Sequence, residues 1–286
     1  MASVLIIGAG WLGRPLAKQL CASQHNVYVT NSHSDTVQQS QQQGLNAYQL
    51  DFPIPTTASL CSLIEQLDID TIIGCITPGF RRSAESDWDS YANNWQQICS
   101  AASQAGVKKV IMISSTAVYP SVSASLTSDH TKNTMQESNA NLELSLNNDT
   151  FSQKSRALLQ AEKKVIDCPV EHCIIRCSGL VDDIRHPSRF ASRLRSVSRL
   201  APANMLHKLD AIGIIEFALN EHWHGIVNAS TPNTCDKAQF YQAAITASNE
   251  EIELPEIVDI PDKKIDSALS QQLGYQYQFQ HTLDLL

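Results

Sequence analysis

The feature that most constrains this chain is a glycine-containing turn near its first residue. Residues 4–14 read VLIIGAGWLGR, so an apolar, β-branched run enters a G-x-G-x-x-G turn, and the pattern PLAKQL that follows is helical. Gly8 permits the tight turn, Gly10 lets backbone approach a pyrophosphate, and Gly13 lets the helix pack closely on the strand. The helix N-terminus adds free N–H groups and a positive dipole end. Because the motif stands between a strand and a helix, it predicts a dinucleotide-binding site.

The rest of the chain alternates short apolar runs with helical patterns. Strands are expected at residues 27–30, 47–50, 71–76, 109–113 and 172–176, and helices at residues 56–67 and 87–104. Continuous apolar strands separated by helices predict an α/β fold with a doubly wound parallel sheet, the Rossmann architecture. Ligands of such sheets bind at the carboxyl ends of the strands, so the residues that follow the strands should converge there. These residues are Gly8–Gly13, Asp51, Thr77 and Ser114–Ser115.

The predicted domain organisation is a large dinucleotide-binding domain with a small C-terminal lobe. The Rossmann domain is expected to span residues 1–175, with residues 204–230 returning to it. Residues 176–203 and 231–286 are expected to form the small substrate-binding lobe. Residues 120–150 are rich in Ser, Asn and Thr, which predicts a long loop or lid.

Composition excludes several functional classes. The net charge of −8 argues against nucleic acid as a general partner. No apolar run approaches the roughly 18 residues that a membrane helix needs, and the first apolar run is a short strand rather than a leader. The eight cysteines include no C-x-x-C pair, so neither a metal site nor thioredoxin-like chemistry is predicted. We therefore expect a cytoplasmic protein with reduced thiols.

One segment is basic although the chain as a whole carries a net negative charge. Residues 184–209 contain no acidic residue, and Arg185, Arg189 and Arg193 recur every four residues, which would place them on one helical face. Such a face is either solvated or binds the phosphates of a substrate, which arginine recognises well. The predicted substrate-binding residues are Arg185, His186 and Arg189.

Further motifs follow one another in a specific order. They are IGAGWLG (residues 7–13), YANNW (91–95), GVKKVIMISSTAVY (106–119), IRCSGL (175–180), NMLHKLD (204–210) and LGY (273–275). With these motifs the chain resembles the extended short-chain dehydrogenases/reductases of the NAD-dependent epimerase/dehydratase family, as an atypical member. The resemblance implies an oxidoreductase or isomerase acting on a hydroxyl- or carbonyl-bearing small molecule, with nucleotide-activated substrates included. It also implies a homodimer as the default assembly.

The resemblance assigns roles to individual residues. Asp51 would hydrogen-bond the adenine, and Thr77 would lie along the central portion of the cofactor. Ser115, four residues before Tyr119, corresponds to the family's catalytic Ser/Thr, which hydrogen-bonds a substrate hydroxyl or carbonyl. The predicted cofactor-binding residues are Gly8, Gly10, Trp11, Leu12, Gly13, Arg14, Asn31, Ser32, Asp51 and Thr77.

The chain departs from the family at its proton-transfer pair. The family carries Tyr-x-x-x-Lys on a helix, with a Glu eight residues after the Tyr. With Glu162 as the anchor, Lys154 stands at the tyrosine position and Leu158 at the lysine position. No tyrosine lies between Tyr119 and Tyr241, so a shifted register does not restore the pair. The usual acid–base machinery is therefore missing.

Three replacements, and one alternative function, remain open. Tyr119 carries a phenol, but without a cationic neighbour its pKa would stay near about 10, which favours a packing role. Lys154, if partly desolvated, could serve as acid or base because burial lowers a lysine pKa. His130 and Glu137 could reach in if their polar loop closes. The alternative is a redox sensor or scaffold that binds dinucleotide without turning it over.

Cofactor choice depends on the end of the second strand. An acidic residue there would bond the adenosine ribose hydroxyls and specify NAD. Here residues 30–33 read TNSH, and the first acid, Asp35, comes several residues late. Arg14, Ser32 and His33 can instead accommodate a 2′-phosphate, so the sequence favours NADP(H) over NAD(H).

Overall fold

The computed structural model describes residues 1–53, 57–78, 88–122 and 133–286. The strands are β1 Ser3–Ile7, β2 Asn26–Asn31, β3 Asn46–Gln49, β4 Thr71–Gly74, β5 Lys109–Ser115, β6 Thr134–Met135, β7 Glu171–Cys177, β8 Gly179–Val181, β9 Ser196–Ser198, β10 Met205–His207, β11 Gly225–Ala229, β12 Glu256–Val258 and β13 Lys264–Ile265. The helices are α1 Gly13–Ala22, α2 Ser34–Gln42, α3 Thr57–Gln66, α4 Trp88–Gln104, α5 Leu142–Leu146, α6 Gln153–Ile166, α7 Ser188–Ala191, α8 Lys208–Asn220, α9 Lys237–Ser248 and α10 Ala268–Gln272. Within these residues, no helix combines the length and the apolar character that crossing a membrane requires.

A seven-stranded parallel sheet forms the centre of the fold. Its strand order is β11-β7-β5-β4-β1-β2-β3, which confirms the predicted doubly wound α/β class. β1 pairs with β2 on one side and β4 on the other, and the register aligns Ile7 with Thr30 and with Gly74. The order of the strands reverses at β1, so the carboxyl end of β1 is the topological switch point where such sheets bind ligands.

The central strands of the sheet are buried on both faces because they are almost wholly apolar. Residues 4–7 of β1 are fully buried, and all four residues of β4 are buried as well. Gly74, the last residue of β4, is covered by the indole of Trp95 on α4, and a Cβ at Gly74 would collide with that ring. Helix α4 in turn packs on α6, so two helices stack on this side of the sheet.

The predicted strands of the sheet and the helices between them occur close to the expected positions, and one predicted loop does not. Residues 56 and 87, where two helices were expected to begin, lie outside the described residues, and the helices are observed from Thr57 and from Trp88. The exception is the predicted loop at 120–150. Its residues 123–132 lie outside the described part, but the remainder contains β6, a 3-10 helix at Glu137–Asn139, and α5.

The chain divides into two compact units. The first comprises residues 1–114, 153–175 and 215–226, and it contains the glycine turn together with α1 to α4 and α6. The second comprises residues 115–152, 176–214 and 227–286. A core around Phe240 and Tyr241 of α9 stabilises the second unit.

Candidate functional site

The glycine turn after β1 has the geometry that a bound phosphate requires. Gly8 adopts φ +101°, and a Cβ there would lie 3.1 Å from the carbonyl oxygen of Cys75. At Gly13 a Cβ would collide with the carbonyl oxygen of Gly8, so only glycine lets α1 begin this close to β1. At Gly10, by contrast, a Cβ would meet no described atom within 4 Å. The turn is therefore tight on two sides and open above Gly10.

The first turn of α1 can receive an anion, although the N–H of Arg14 already donates to the Gly10 carbonyl at 3.1 Å. Its N-cap residue, the buried Leu12, provides no side-chain cap, and the turn carries no acidic residue. Trp11 is half-buried before it. Arg14 adds a buried Nε with no hydrogen-bond acceptor in the described part of the chain. A buried donor without an acceptor costs about 1–3 kcal/mol, and an anion at the helix N-terminus would satisfy it. These residues fit the pyrophosphate of a dinucleotide.

The end of β2 holds the glycine turn in place. Asn31 donates from Nδ2 to the carbonyl oxygen of Ala9 at 3.2 Å, and its Oδ1 accepts from the Ser40 hydroxyl at 2.9 Å. The Thr30 carbonyl accepts from the N–H of Ala9 at 2.8 Å. The first acidic residue after β2, Asp35, is exposed in the first turn of α2.

The ends of β2, β3 and β4 carry the other predicted cofactor residues. Gln49 donates from Nε2 to the Ser32 carbonyl at 3.3 Å and to Asp51 Oδ1 at 3.1 Å, which joins these two positions. The N–H of Cys75 donates to Ile7 at 2.8 Å, and the exposed Thr77 follows two residues later. In a parallel sheet these strand ends share one edge, and all of these residues belong to the first unit.

A buried carboxylate fixes the end of β5. The hydroxyl of Ser114 donates to Glu162 Oε1 on α6 at 2.6 Å, and Glu162 is 1% exposed. The sequence pattern identified Glu162 only as a register anchor, and nothing in it specified this partner. The bond ties α6 to the residue immediately before Ser115.

Ser115 begins the second unit with a hydroxyl whose proton can be shared. Its Oγ accepts from the N–H of Ala117 at 3.2 Å, capping a 3-10 helix at Thr116–Val118. Ser115 is half-buried. Because the oxygen serves here as an acceptor, the hydroxyl proton is available to a further acceptor.

Tyr119 differs from the sequence-based expectation in two respects. Its hydroxyl donates to Asn228 Oδ1 at 2.7 Å and accepts from Arg176 Nη1 at 3.1 Å, and the guanidinium lies 5.3 Å from the ring centroid. The expected absence of a cationic neighbour is therefore wrong. The ordinary pKa is wrong as well, because burial of the 1%-exposed side chain outweighs the charge of Arg176 and raises the pKa of Tyr119 to about 12.

Arg176 is a central residue that the sequence reasoning missed. It is completely buried and donates to the carbonyl oxygens of Glu137, at 2.9 Å, and Ala140, at 2.9 Å. The Glu137 carboxylate accepts from the N–H of Asn228 at 2.8 Å, so it is engaged with backbone. The available signal was a lone arginine ending the apolar run HCIIR, where a buried charge requires several partners.

The positions of the missing proton-transfer pair lie on α6. Lys154 is exposed in the first turn of this helix, whereas Leu158 is 2% exposed within the core. His130, the other candidate, lies outside the described residues.

The basic window does not form the predicted helical face. Pro187 starts a new helix, α7, which ends at Ala191, so Arg185 precedes the helix and Arg193 follows it. Proline restricts the residue before it to extended backbone, which interrupts a helix through this window. The three predicted substrate residues are bonded locally: the N–H of Arg185 to Asp182 Oδ1 at 2.6 Å, His186 Nδ1 with the Ser188 hydroxyl at 2.8 Å, and Arg189 Nη1 to the Ile184 carbonyl at 2.9 Å.

A doubly wound sheet with an open glycine turn at its switch point defines a Rossmann-type dinucleotide-binding protein. Residues 4–141 match the model of the NAD dependent epimerase/dehydratase family. The chain as a whole is similar to Protein YeeZ of Escherichia coli, with 27% identity over 284 residues that cover 98% of this chain and 97% of the relative.

Solved structures share the fold at low identity. The UDP-glucose 4-epimerase of Thermus thermophilus, in complex with NAD, has a TM-score of 0.74 at 14% identity, covering 99% of this chain and 96% of that chain. WbmG of Bordetella bronchiseptica, in complex with NAD and UDP, has a TM-score of 0.74 at 15% identity, with coverage of 99% and 93%.

Proposed function

We propose that the protein is an NAD(P)(H)-dependent oxidoreductase or isomerase that acts on a hydroxyl- or carbonyl-bearing small molecule, nucleotide-activated substrates included. The observation that carries this proposal is the turn itself, tight at Gly8 and Gly13, open at Gly10, and followed by the unsatisfied donor of Arg14. When bound, the nicotinamide supplies or accepts hydride at a substrate carbon.

Ser115 polarises the substrate oxygen in this proposal. Its position at the end of β5 and its hydroxyl, which accepts from Ala117 and keeps its proton, support the role. Removing one preorganised donor of this kind lowers turnover by about 10²–10³-fold, with binding left in place.

Proton transfer falls to Lys154 rather than Tyr119. The Tyr119 hydroxyl is buried between Asn228 and Arg176, and its raised pKa opposes loss of the proton. Lys154 is exposed on α6, where a substrate that excludes water would lower its pKa. In the direction that reduces NADP⁺, Lys154 must be deprotonated to take the hydroxyl proton. The Lys154→Met variant should therefore lose the acidic limb of the pH–rate profile, and an unchanged profile would remove Lys154 from the mechanism.

NADP(H) is the proposed cofactor. The second strand ends in an amide at Asn31, and the buried Nε of Arg14 can donate to a 2′-phosphate together with Ser32 and His33. We expect Arg14→Gln to weaken NADPH binding at least tenfold and to leave NADH binding nearly unchanged. Lys18→Gln, on the exposed face of the same helix, is the matched control. Equal losses for both nucleotides would assign Arg14 to the fold or the pyrophosphate instead.

Phosphates of an activated substrate are assigned to the exposed Arg185 and Arg189 beside the half-buried His186. Arginine recognises phosphate through paired donors, which supports this assignment even though the three residues do not share a helical face.

A homodimer completes the proposal, and light scattering after gel filtration tests it.

The decisive experiment is single-turnover reduction of bound NADP⁺ across a panel of sugar nucleotides and polyols. We expect nicotinamide reduction with at least one substrate, and its loss in Ser115→Ala with unchanged NADPH affinity. Loss of binding in the serine variant would contradict this division of roles.

A second function, a redox sensor that binds the dinucleotide without turnover, is favoured by one observation. Leu158 is buried in the core at the position where the family carries its lysine. If NADPH binds and raises the melting temperature, yet no substrate in the panel reduces NADP⁺, the sensor replaces the enzyme as the assignment.

A further inference from the structure

Two cysteines meet where α4 and α6 pack against each other in the first unit. Cys99 lies on α4 and is 2% exposed, whereas Cys168 lies two residues beyond the end of α6 and is half-buried. The Sγ of Cys168 lies 3.5 Å from the carbonyl oxygen of Cys99, and the two thiols are within hydrogen-bonding reach of each other. Both cysteines carry free thiols.

The two thiols differ in their access to a reagent. Burial raises the pKa of Cys99, and the neighbouring Cys168 raises it further, so Cys99 stays a thiol. Cys168 has solvent access at the end of its helix. An external disulfide therefore reaches Cys168 first, and the neighbouring Cys99 thiol can then attack the Cys168 sulfur.

We propose that Cys99 and Cys168 form a disulfide when the protein meets a low-molecular-weight disulfide such as oxidised glutathione. The Cys168 thiolate attacks one glutathione sulfur, and a glutathione thiolate leaves. Cys99 then gives up its proton and attacks the Cys168 sulfur of the mixed disulfide, which releases the second glutathione. One S–S bond is broken and one is formed, and two protein thiols are exchanged for two glutathione thiols.

The bridge would join α4 to the end of α6, the helix that carries Glu162 and through it holds Ser114. It closes a loop between residues 69 positions apart, which restricts the unfolded chain substantially. We expect the melting temperature of the oxidised protein to rise by on the order of 5 °C or more.

Peptide mapping tests this site directly. The reduced protein is incubated with oxidised glutathione, remaining thiols are alkylated, and the digest is analysed by mass spectrometry. The expected product is a peptide pair linked through Cys99 and Cys168, together with the rise in melting temperature. Recovery of Cys168 as a stable glutathione adduct or as a free thiol, with Cys99 alkylated, would overturn the proposal.

Three variants separate the steps. Cys99→Ser should accumulate the glutathione adduct on Cys168, because the resolving thiol is gone. Cys168→Ser, at a half-buried position, should lose the thermal shift and match the wild type under reducing conditions. Cys61→Ser is the matched control, since Cys61 is also half-buried on a helix of the same unit, and it should keep both the bridge and the shift. A shift that survives in Cys168→Ser would exclude the bridge as its cause.

Discussion

At the scale of single residues, the glycines of the turn divide into those that serve the fold and one that leaves room for a ligand. A side chain at Gly13 would collide with backbone, whereas one at Gly10 meets no described atom within 4 Å. Gly13→Ala should therefore lower the free energy of unfolding by about 1–3 kcal/mol, as overpacking does. Gly10→Val should unfold near the wild-type temperature and bind no NADPH.

Calorimetric titration and thermal unfolding of both variants check this division. A Gly10→Val protein that is strongly destabilised, or that still binds NADPH, would show that the open space above Gly10 is not the ligand's.

Tyr119 provides a second test at this scale. Tyr119→Phe leaves Asn228 Oδ1 and Arg176 Nη1 each short of one partner, so we expect a loss of about 1–3 kcal/mol of stability by urea unfolding. The control is Tyr241→Phe, which should cost less because the hydroxyl of the buried Tyr241 makes no hydrogen bond with the described residues. If Tyr119→Phe abolished turnover in the single-turnover assay while stability was unchanged, Tyr119 would be catalytic after all.

The residues whose local geometry the sequence predicted are those whose backbone conformation depends on a few neighbours. Gly8, Gly10 and Gly13 belong to a short motif whose conformation a few neighbours determine. Arg176 and its contacts with Tyr119 could not be found this way, because its partners lie 36 to 57 residues away in the chain. Pairing at such separations depends on how the elements pack, which a local pattern does not encode.

At the scale of elements, Asp70 joins the beginnings of neighbouring strands. Asp70 immediately precedes β4, and its Oδ2 accepts from the N–H of Ser3, the first residue of β1. Its Oδ1 pairs at 2.5 Å with Nζ of Lys108, which immediately precedes β5. The hydrogen bond from Lys108 lowers the pKa of Asp70, with the Ser3 N–H contributing. The carboxylate therefore stabilises the fold above its unfolded pKa of about 3.9, and this contribution is lost as the pH falls through the lower folded pKa.

Asp70→Asn should consequently lower the free energy of unfolding at neutral pH by about 1 kcal/mol or less, because the pair is partly exposed. In urea unfolding at a series of pH values, the stability curves of the variant and the wild type should converge as the pH falls below about 4. If the difference in free energy of unfolding between variant and wild type stayed the same in acid, the charge of Asp70 would not be the source of its stabilising effect.

Elements themselves were predicted well where hydrophobic periodicity defines them and poorly where charge periodicity was used instead. The apolar runs of β1 and β4 are buried on both faces, so their composition alone identifies them. The four-residue spacing of Arg185, Arg189 and Arg193 suggested a helix. Charged side chains on one helix face bury no apolar surface, however, so their spacing does not stabilise a helix. Pro187 then interrupts any helix through this window, because it restricts the backbone of the residue before it.

At the scale of the whole molecule, cofactor binding and folding are linked. A ligand that binds only the folded state at 100 times its Kd raises the free energy of unfolding by about 2.7 kcal/mol. Thermal unfolding at increasing NADPH concentration should therefore give a melting temperature that keeps rising with the logarithm of concentration. A constant melting temperature across the series would contradict nucleotide binding by the native chain.

The double hydrogen bond of Asn31 also limits which side chains this position can carry. The amide donates to Ala9 and accepts from Ser40 at the same time. An aspartate at this position could still accept from Ser40, but it would turn a carboxylate oxygen towards the Ala9 carbonyl and remove a support of the glycine turn. A single acidic substitution at Asn31 would thus disturb the glycine turn itself, so an acidic residue at the end of β2 requires Ala9, Asn31 and Ser40 to change together.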